Sequence, residues 1–259
     1  LLFFLFAAGV VSAPPATVES GTSRNVLIEN FTGTWCSYCP LGASELKELQ
    51  KKFETMIIIS YHYNDAMDTP EGDGLNGKVN NALFPSAMVD RMLFSGQPKL
   101  PLPREIWGAK IAEAAAVSPR FALSATWFYD ETARKLDLDI TAVPLRDLAG
   151  KYRLNVMVTE DSLNYAQKAL NTSSGEVFPY YHVNVLRRAF TGQTGEAFID
   201  APVKKGTPLR KTYSFVLAKN VAARNAHITV FIHENVSNYL GPVQQALRFP
   251  VIARPSPIS

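Results

Sequence analysis

The chain has 259 residues, 47% of them hydrophobic and 19% charged, and its 26 Lys and Arg against 23 Asp and Glu leave a net charge of +3. This is the balance of an ordinary globular chain, long for one domain and comfortable for two. Two cysteines exclude a general disulfide scaffold, and the absence of any basic run beyond pairs such as Arg187-Arg188 and Lys204-Lys205 argues against a nucleic-acid partner.

Leu1 to Val11 carries no polar side chain and is followed by Ser12 and Ala13, the pattern of the apolar region and cleavage zone of a secretory signal peptide. The run is too short to span a bilayer, which takes about 20 apolar residues, and no later run is long enough either. Lacking an initiating Met and a basic leader, the sequence is expected to start inside that signal, assigned to residues 1–17. No cysteine stands close to it, so a lipoprotein anchor is not supported. Export implies an oxidising compartment. Pro14 to Arg24, rich in Pro, Ser, Thr and Gly, reads as a linker.

Asn25 to Phe31 reads as a short buried strand, and both cysteines follow at once in Trp35-Cys36-Ser37-Tyr38-Cys39-Pro40. The spacing lets both sulfurs sit in the first turn of a helix, where free N–H groups and the macrodipole favour a thiolate at Cys36. Leu46, Leu49 and Phe53 continue at helical spacing, and Met56 to Ser60 is a second strand. Strand, CxxC, helix, strand is the setting of a thiol-disulfide centre. Zinc would need further ligands, and no second CxxC or His pair exists among His62, His182, His227 and His233. Haem attachment needs His where Pro40 stands. A plain structural or vestigial disulfide stays open, although so short a loop stabilises little.

Beyond His62, which could tune the cysteines or simply be a satisfied core histidine, the stretch Asp65 to Gly74 reads as a solvated acidic loop. Its calcium spacing is not that of an EF-hand, and Gly72, Gly74 and Gly77 match GxGxxG by accident. A short helix is expected over 75–82, and one closing the domain over 104–116. Pro85 opens a strand 49 residues after Cys36. With Trp35-Cys36-Ser37-Tyr38-Cys39-Pro40, that placement resembles the thioredoxin superfamily. The resemblance implies a cis bond before Pro85, catalytic Cys36 and Cys39, and a substrate groove shaped by Trp35, Tyr38, Phe84 and Pro85, with Pro40 in support. It also implies a buried acid where this chain has Asn30; Glu29 is adjacent but on the opposite face of the strand.

From Arg120 on the pattern is β. Phe121 to Tyr129, Leu136 to Ile140 and Leu154 to Val158 alternate apolar and polar residues, with further runs at 181–190, 207–217, 228–233 and 243–251. The fold class expected is an α/β thioredoxin-like domain at 18–117 followed by an all-β antiparallel sandwich, Ig-like or jelly-roll-like, at 118–259. The stretch 161–176 reads as the interruption. The halves differ in charge: nine Lys or Arg against twelve Asp or Glu over 18–117, seventeen against eleven over 118–259.

The layout also resembles the Omp28 type of outer-membrane-associated proteins of Bacteroidetes. The residues that carry this are Glu29 to Gly33 leading into the CxxC, Phe84-Pro85 with Arg91, Val158-Thr159-Glu160-Asp161, His182 to Arg187 and Val243 to Ala246. That resemblance implies an exported, envelope-associated protein, in the periplasm or peripheral at the outer membrane. Strands without lipid-facing bands argue against an integral barrel. Two functions compete. One is thiol-disulfide exchange, without a cofactor or metal, on exported proteins that carry disulfides or dithiols. The other is a binding or adhesion module in the sandwich, where His182, Asn184 and Arg188 would share one strand face.

Overall fold

Residues 15–21, 23–170, 172–236 and 240–253 are described by a computed structural model of the chain. The signal-peptide reading lies mostly on residues 1–14, outside them.

The first elements are β1 (Ala16–Glu19), β2 (Val26–Thr32), α1 (Cys39–Lys52), β3 (Met56–His62), α2 (Pro70–Lys78), β4 (Ser86–Val89), β5 (Leu102–Pro103) and, after a 3-10 turn at Arg104–Ile106, α3 (Trp107–Ala115). β2 and β3 are buried almost throughout, as apolar runs covered on both faces must be. They pair in parallel from Val26↔Met56 to Thr32↔His62, and β4 lies antiparallel on the other side of β2. Leu46 and Leu49 of α1 and Trp107 and Ile111 of α3 cover one face of this sheet, against Val26, Ile28, Ile58 and Ala87. Two expectations shift. The acidic stretch is helical, because Thr69 caps the Gly72 N–H at 3.1 Å, Pro70 suits the first turn, and Glu71 and Asp73 meet the positive end of the dipole. And Ala16–Glu19, inside the supposed leader and linker, is an edge strand paired with residues 124–127.

The second series is β6 (Phe121–Asp130), β7 (Lys135–Pro144), β8 (Tyr152–Glu160), β9 (Leu163–Asn164), β10 (Gln167–Lys168), β11 (Glu176–Val177), β12 (Tyr181–His182), β13 (Val185–Ala189), β14 (Glu196–Ile199), β15 (Leu209–Val216), β16 (Ala226–Glu234) and β17 (Val243–Pro250). One sheet runs β1-β6-β7-β15. Its inward residues Leu123, Ala125, Leu138 and Ile140 pack on Leu154, Val156, Ile228 and Val230, so sheet faces sheet around one apolar core.

The second sheet runs β17-β16-β8-β13-β3-β2-β4-β5, with β14 also on β8. It passes straight through the boundary expected at residue 117: β13 joins β3 in parallel at Val185↔Ser60, and the Ser60 N–H donates to the Asn184 carbonyl at 2.8 Å. Both sheets are open, and among the described residues no helix is long and apolar enough to cross a membrane. The strand expected over 181–190 is broken. Asn184 takes a left-handed conformation at φ 56°, so β12 turns away to pair with β9, and His182, Asn184 and Arg188 do not share one strand face.

The sheet curls until its far end meets β2. Asn25 donates to the Gln245 side chain at 3.0 Å and to the Ala246 carbonyl at 2.8 Å, and Val243 N–H reaches the Asp90 carbonyl at 2.7 Å. A buried polar seam lies in this fold-back. Arg91 grips Glu29 through two bonds of 2.7 and 2.8 Å, Tyr61 Oη donates to the same carboxylate at 2.8 Å, and the guanidinium sits 4.9 Å over the Phe231 ring. Arg24 pairs with Asp90 at 2.7 Å and also donates to the Val243 carbonyl.

Candidate functional site

Cys36 and Cys39 form a disulfide with Cα atoms 5.4 Å apart. Only Cys39 belongs to the helix, which corrects the expectation that both sulfurs lie in its first turn. Pro40, lacking an N–H, fits the first turn and fixes the start of α1 at Cys39. Cys36 sits in the turn before, its N–H on the Gly33 carbonyl at 3.1 Å, with Cys39 N–H returning to the Cys36 carbonyl at 3.2 Å.

The Phe84–Pro85 bond is cis, as is Phe178–Pro179, which the sequence reading did not single out. A Cβ on Gly42 would stand 2.8 Å from Pro85 Cβ, so a glycine one turn into α1 is what lets the CxxC helix lie against Pro85. Tyr38, Leu83, Phe84, Pro85, Pro103 and Arg104 line a groove of about 210 Å3 there. Trp35 is outside that lining but props it: its ring meets Phe84 edge-on at 5.2 Å, and its Nε1 donates to the Tyr63 carbonyl at 2.7 Å. Trp35 and Tyr38 are 44% and 58% exposed, while Cys36 and Cys39 are 5% and 3% exposed.

The loop that carries the cysteines is held by the stretch that reads as an interruption in the sequence. Gln167 is buried, and its amide nitrogen lies 3.2, 3.1 and 3.0 Å from the carbonyls of Gly33, Thr34 and Cys36. Lys168 N–H adds a bond to Thr34 at 2.7 Å. Between α1 and this strap opens a cleft of about 680 Å3 that reaches Cys39 and is floored by Asn30, Ser60, His62 and His182. Asn30 makes one long bond, 3.4 Å to Ser60, and its carbonyl oxygen has no partner. Glu29 faces the seam instead and takes no part in the cleft.

His62 Nδ1 is 2.7 Å from Asp65, which also accepts the N–H groups of Thr34 and Met67 at 2.8 Å each. Burial works to raise the Asp65 pKa, but the His62 bond, the His62 charge and those two N–H groups together hold it below the usual carboxylate range. The His182 ring stands 5.0 Å from His62, and burial with that neighbour pushes its pKa down to about 4. Gln167 is thus a site residue that sequence reasoning passed over, while Asp65 reads in sequence as part of a solvated loop and His182 as part of a strand face.

The protein-family model described as "Outer membrane protein Omp28" matches residues 74–248, a span that leaves out the two cysteines. Among solved structures, HBP35 of Porphyromonas gingivalis superposes with a TM-score of 0.71 at 18% identity, over 92% of this chain and 79% of that one. A domain of the outer membrane lipoprotein Omp28 from Porphyromonas gingivalis superposes with a TM-score of 0.31 at 16% identity, over 51% of this chain and 88% of that one. No curated protein sequence matches the chain.

Proposed function

The chain belongs to the Omp28 family of outer membrane proteins, and with that envelope association as premise we propose that it carries out thiol-disulfide exchange on exported proteins through Cys36 and Cys39. The observation that carries this reading is the pairing of a CxxC disulfide at the start of α1 with Pro85 packed on the same helix, beside an apolar groove. We read β2, α1, β3 and β4 with α3 as a thioredoxin-like unit on that basis.

In the reducing direction Cys36 thiolate attacks a client disulfide, the client's sulfur–sulfur bond breaks, and one client sulfur leaves as a thiolate. Cys39 then attacks Cys36, expelling the second client sulfur and restoring the disulfide. Two electrons pass from protein to client, and a thiol reductant must return them; run backwards, the same pair oxidises a client dithiol. Tyr38, Phe84 and Pro85 would hold the client backbone.

The reduced protein is expected to reduce a model protein disulfide and to alkylate at Cys36 faster than a free thiol at neutral pH, with Cys36→Ser inert in both assays. Equal behaviour of the variant and the unaltered protein would end this reading. The competing reading, a binding module, draws support from Phe178, Tyr181 and Val183, which are 68%, 60% and 51% exposed just after the strap.

A further inference from the structure

Closing the disulfide demands that the Cys39 thiol, 3% exposed, pass its proton to an acceptor. The question is which group can take it. The cleft that reaches Cys39 is polar and roomy enough for bridging water, so the acceptor need only share its walls. Lys47 from α1 and Arg248 from β17 arrive as cations. Asp161 is engaged by Arg248 and His227 at 3.5 Å and by the Asn184 N–H at 2.6 Å. Tyr180, its pKa raised by burial, is a poor acceptor, Tyr181 is a phenol 60% exposed, and Asn30 and Ser60 are none. His62 and His182 are left.

The two differ. Asp65 lies 2.7 Å from His62 Nδ1 and engages it, so Nε2 is the ring nitrogen left for a proton from the cleft. The His182 ring meets His62 edge-on at 5.0 Å, and its Nε2 has no hydrogen-bond partner. Burial and the His62 neighbour push its pKa down to about 4, so it places no positive charge beside His62 at neutral pH. Asp65 also binds the Thr34 N–H at 2.8 Å, two residues before Cys36, so one carboxylate ties the histidine to the loop that carries the cysteines.

We propose that His62, oriented by Asp65, accepts the Cys39 proton through the cleft, and that His182 is a positioning residue which keeps that imidazole in place. This rests on the exchange reading. In the step, the proton leaves Cys39 Sγ for His62 Nε2, the Cys39 sulfur attacks Cys36, the bond between Cys36 and the client sulfur breaks, and the departing client thiolate collects the proton.

The test is stopped-flow mixing of the reduced full chain with an aromatic disulfide whose thiolate absorbs light. Cys36 attack releases one thiolate and Cys39 closure a second. In His62→Gln the second release is expected to slow by about ten-fold at pH 6 with the first unchanged, the gap closing toward pH 9 as solvent deprotonates the thiol. His182→Gln should show a smaller deficit of the same shape, and Asp65→Asn carries the His62 expectation if His62→Gln fails to fold. A second release within two-fold of the unaltered protein at pH 6, or a deficit equally large at pH 9, overturns the assignment. A single release from the unaltered protein would instead refute the exchange reading itself.

Discussion

The seam and the cleft both gather polar side chains at the contact between the two regions and are built in opposite ways. In the seam, Glu29, Tyr61 and Arg91 satisfy one another at 2.7 to 2.8 Å, with an aromatic ring under the guanidinium. In the cleft, Asn30 and His182 keep atoms without partners around open volume. Satisfied polar groups weld, and unsatisfied ones leave hydrogen-bonding capacity to spare. The same difference explains why Glu29, adjacent to Asn30 in sequence, has no role at the cysteines: consecutive strand residues face opposite ways.

The contrast can be sharpened by breaking the seam first. Arg91→Ala strands a buried carboxylate and should cost about 3–5 kcal/mol in denaturant unfolding; a cost below about 1 kcal/mol would mean the seam does not weld. Acid comes next, because it reaches both regions. Burial pushes His182 down to about 4, and burial with the Arg91 charge pushes His233 down to about 3, while unfolded histidine titrates near 6.5. Folded pKa values below the unfolded one mean that the unfolded chain binds protons first, so the stability these two histidines contribute is full above about pH 6.5 and drains as pH falls toward 4 and then 3. Discounted for solvent screening, the loss is on the order of 2 kcal/mol for His182 by pH 4, and His182→Gln should flatten that part of the profile. A slope unchanged in that variant would show that the cleft histidine is solvated. The smallest effect is expected at the strap. Gln167→Ala removes the shared donor of three carbonyls, should cost about 1–2 kcal/mol, and should speed alkylation of reduced Cys36. Unchanged alkylation would show that the strap does not cover that sulfur.

Local pattern made much of this legible. Met56 and its neighbours marked β3, Leu46 and Leu49 marked the buried stripe of α1, and the alternation of Phe121 to Tyr129 marked β6. The motif and Pro85 marked the site through resemblance. What stayed hidden depends on chain closure. Gln167 lies 131 residues from Cys36, and an isolated Gln in a polar stretch announces nothing. Asp65 read as one more solvated acid because its partners, His62 and the Thr34 N–H, are identified only once β2 and β3 are paired. The break at Asn184 was invisible because a left-handed Asn looks, in sequence, like a polar residue in its turn along a strand.

The parallel joint at Val185 and Ser60 bears on how the molecule can be divided. A cut after residue 117 would strip β3 of its outer neighbour and leave an apolar strand with bare amides and carbonyls at a new edge, while β1 would be severed from the sheet it completes. Each fragment would thus gain a sticky border absent from the intact chain, and would be prone to pair with copies of itself. Work on either half is therefore better done by point substitution within the whole.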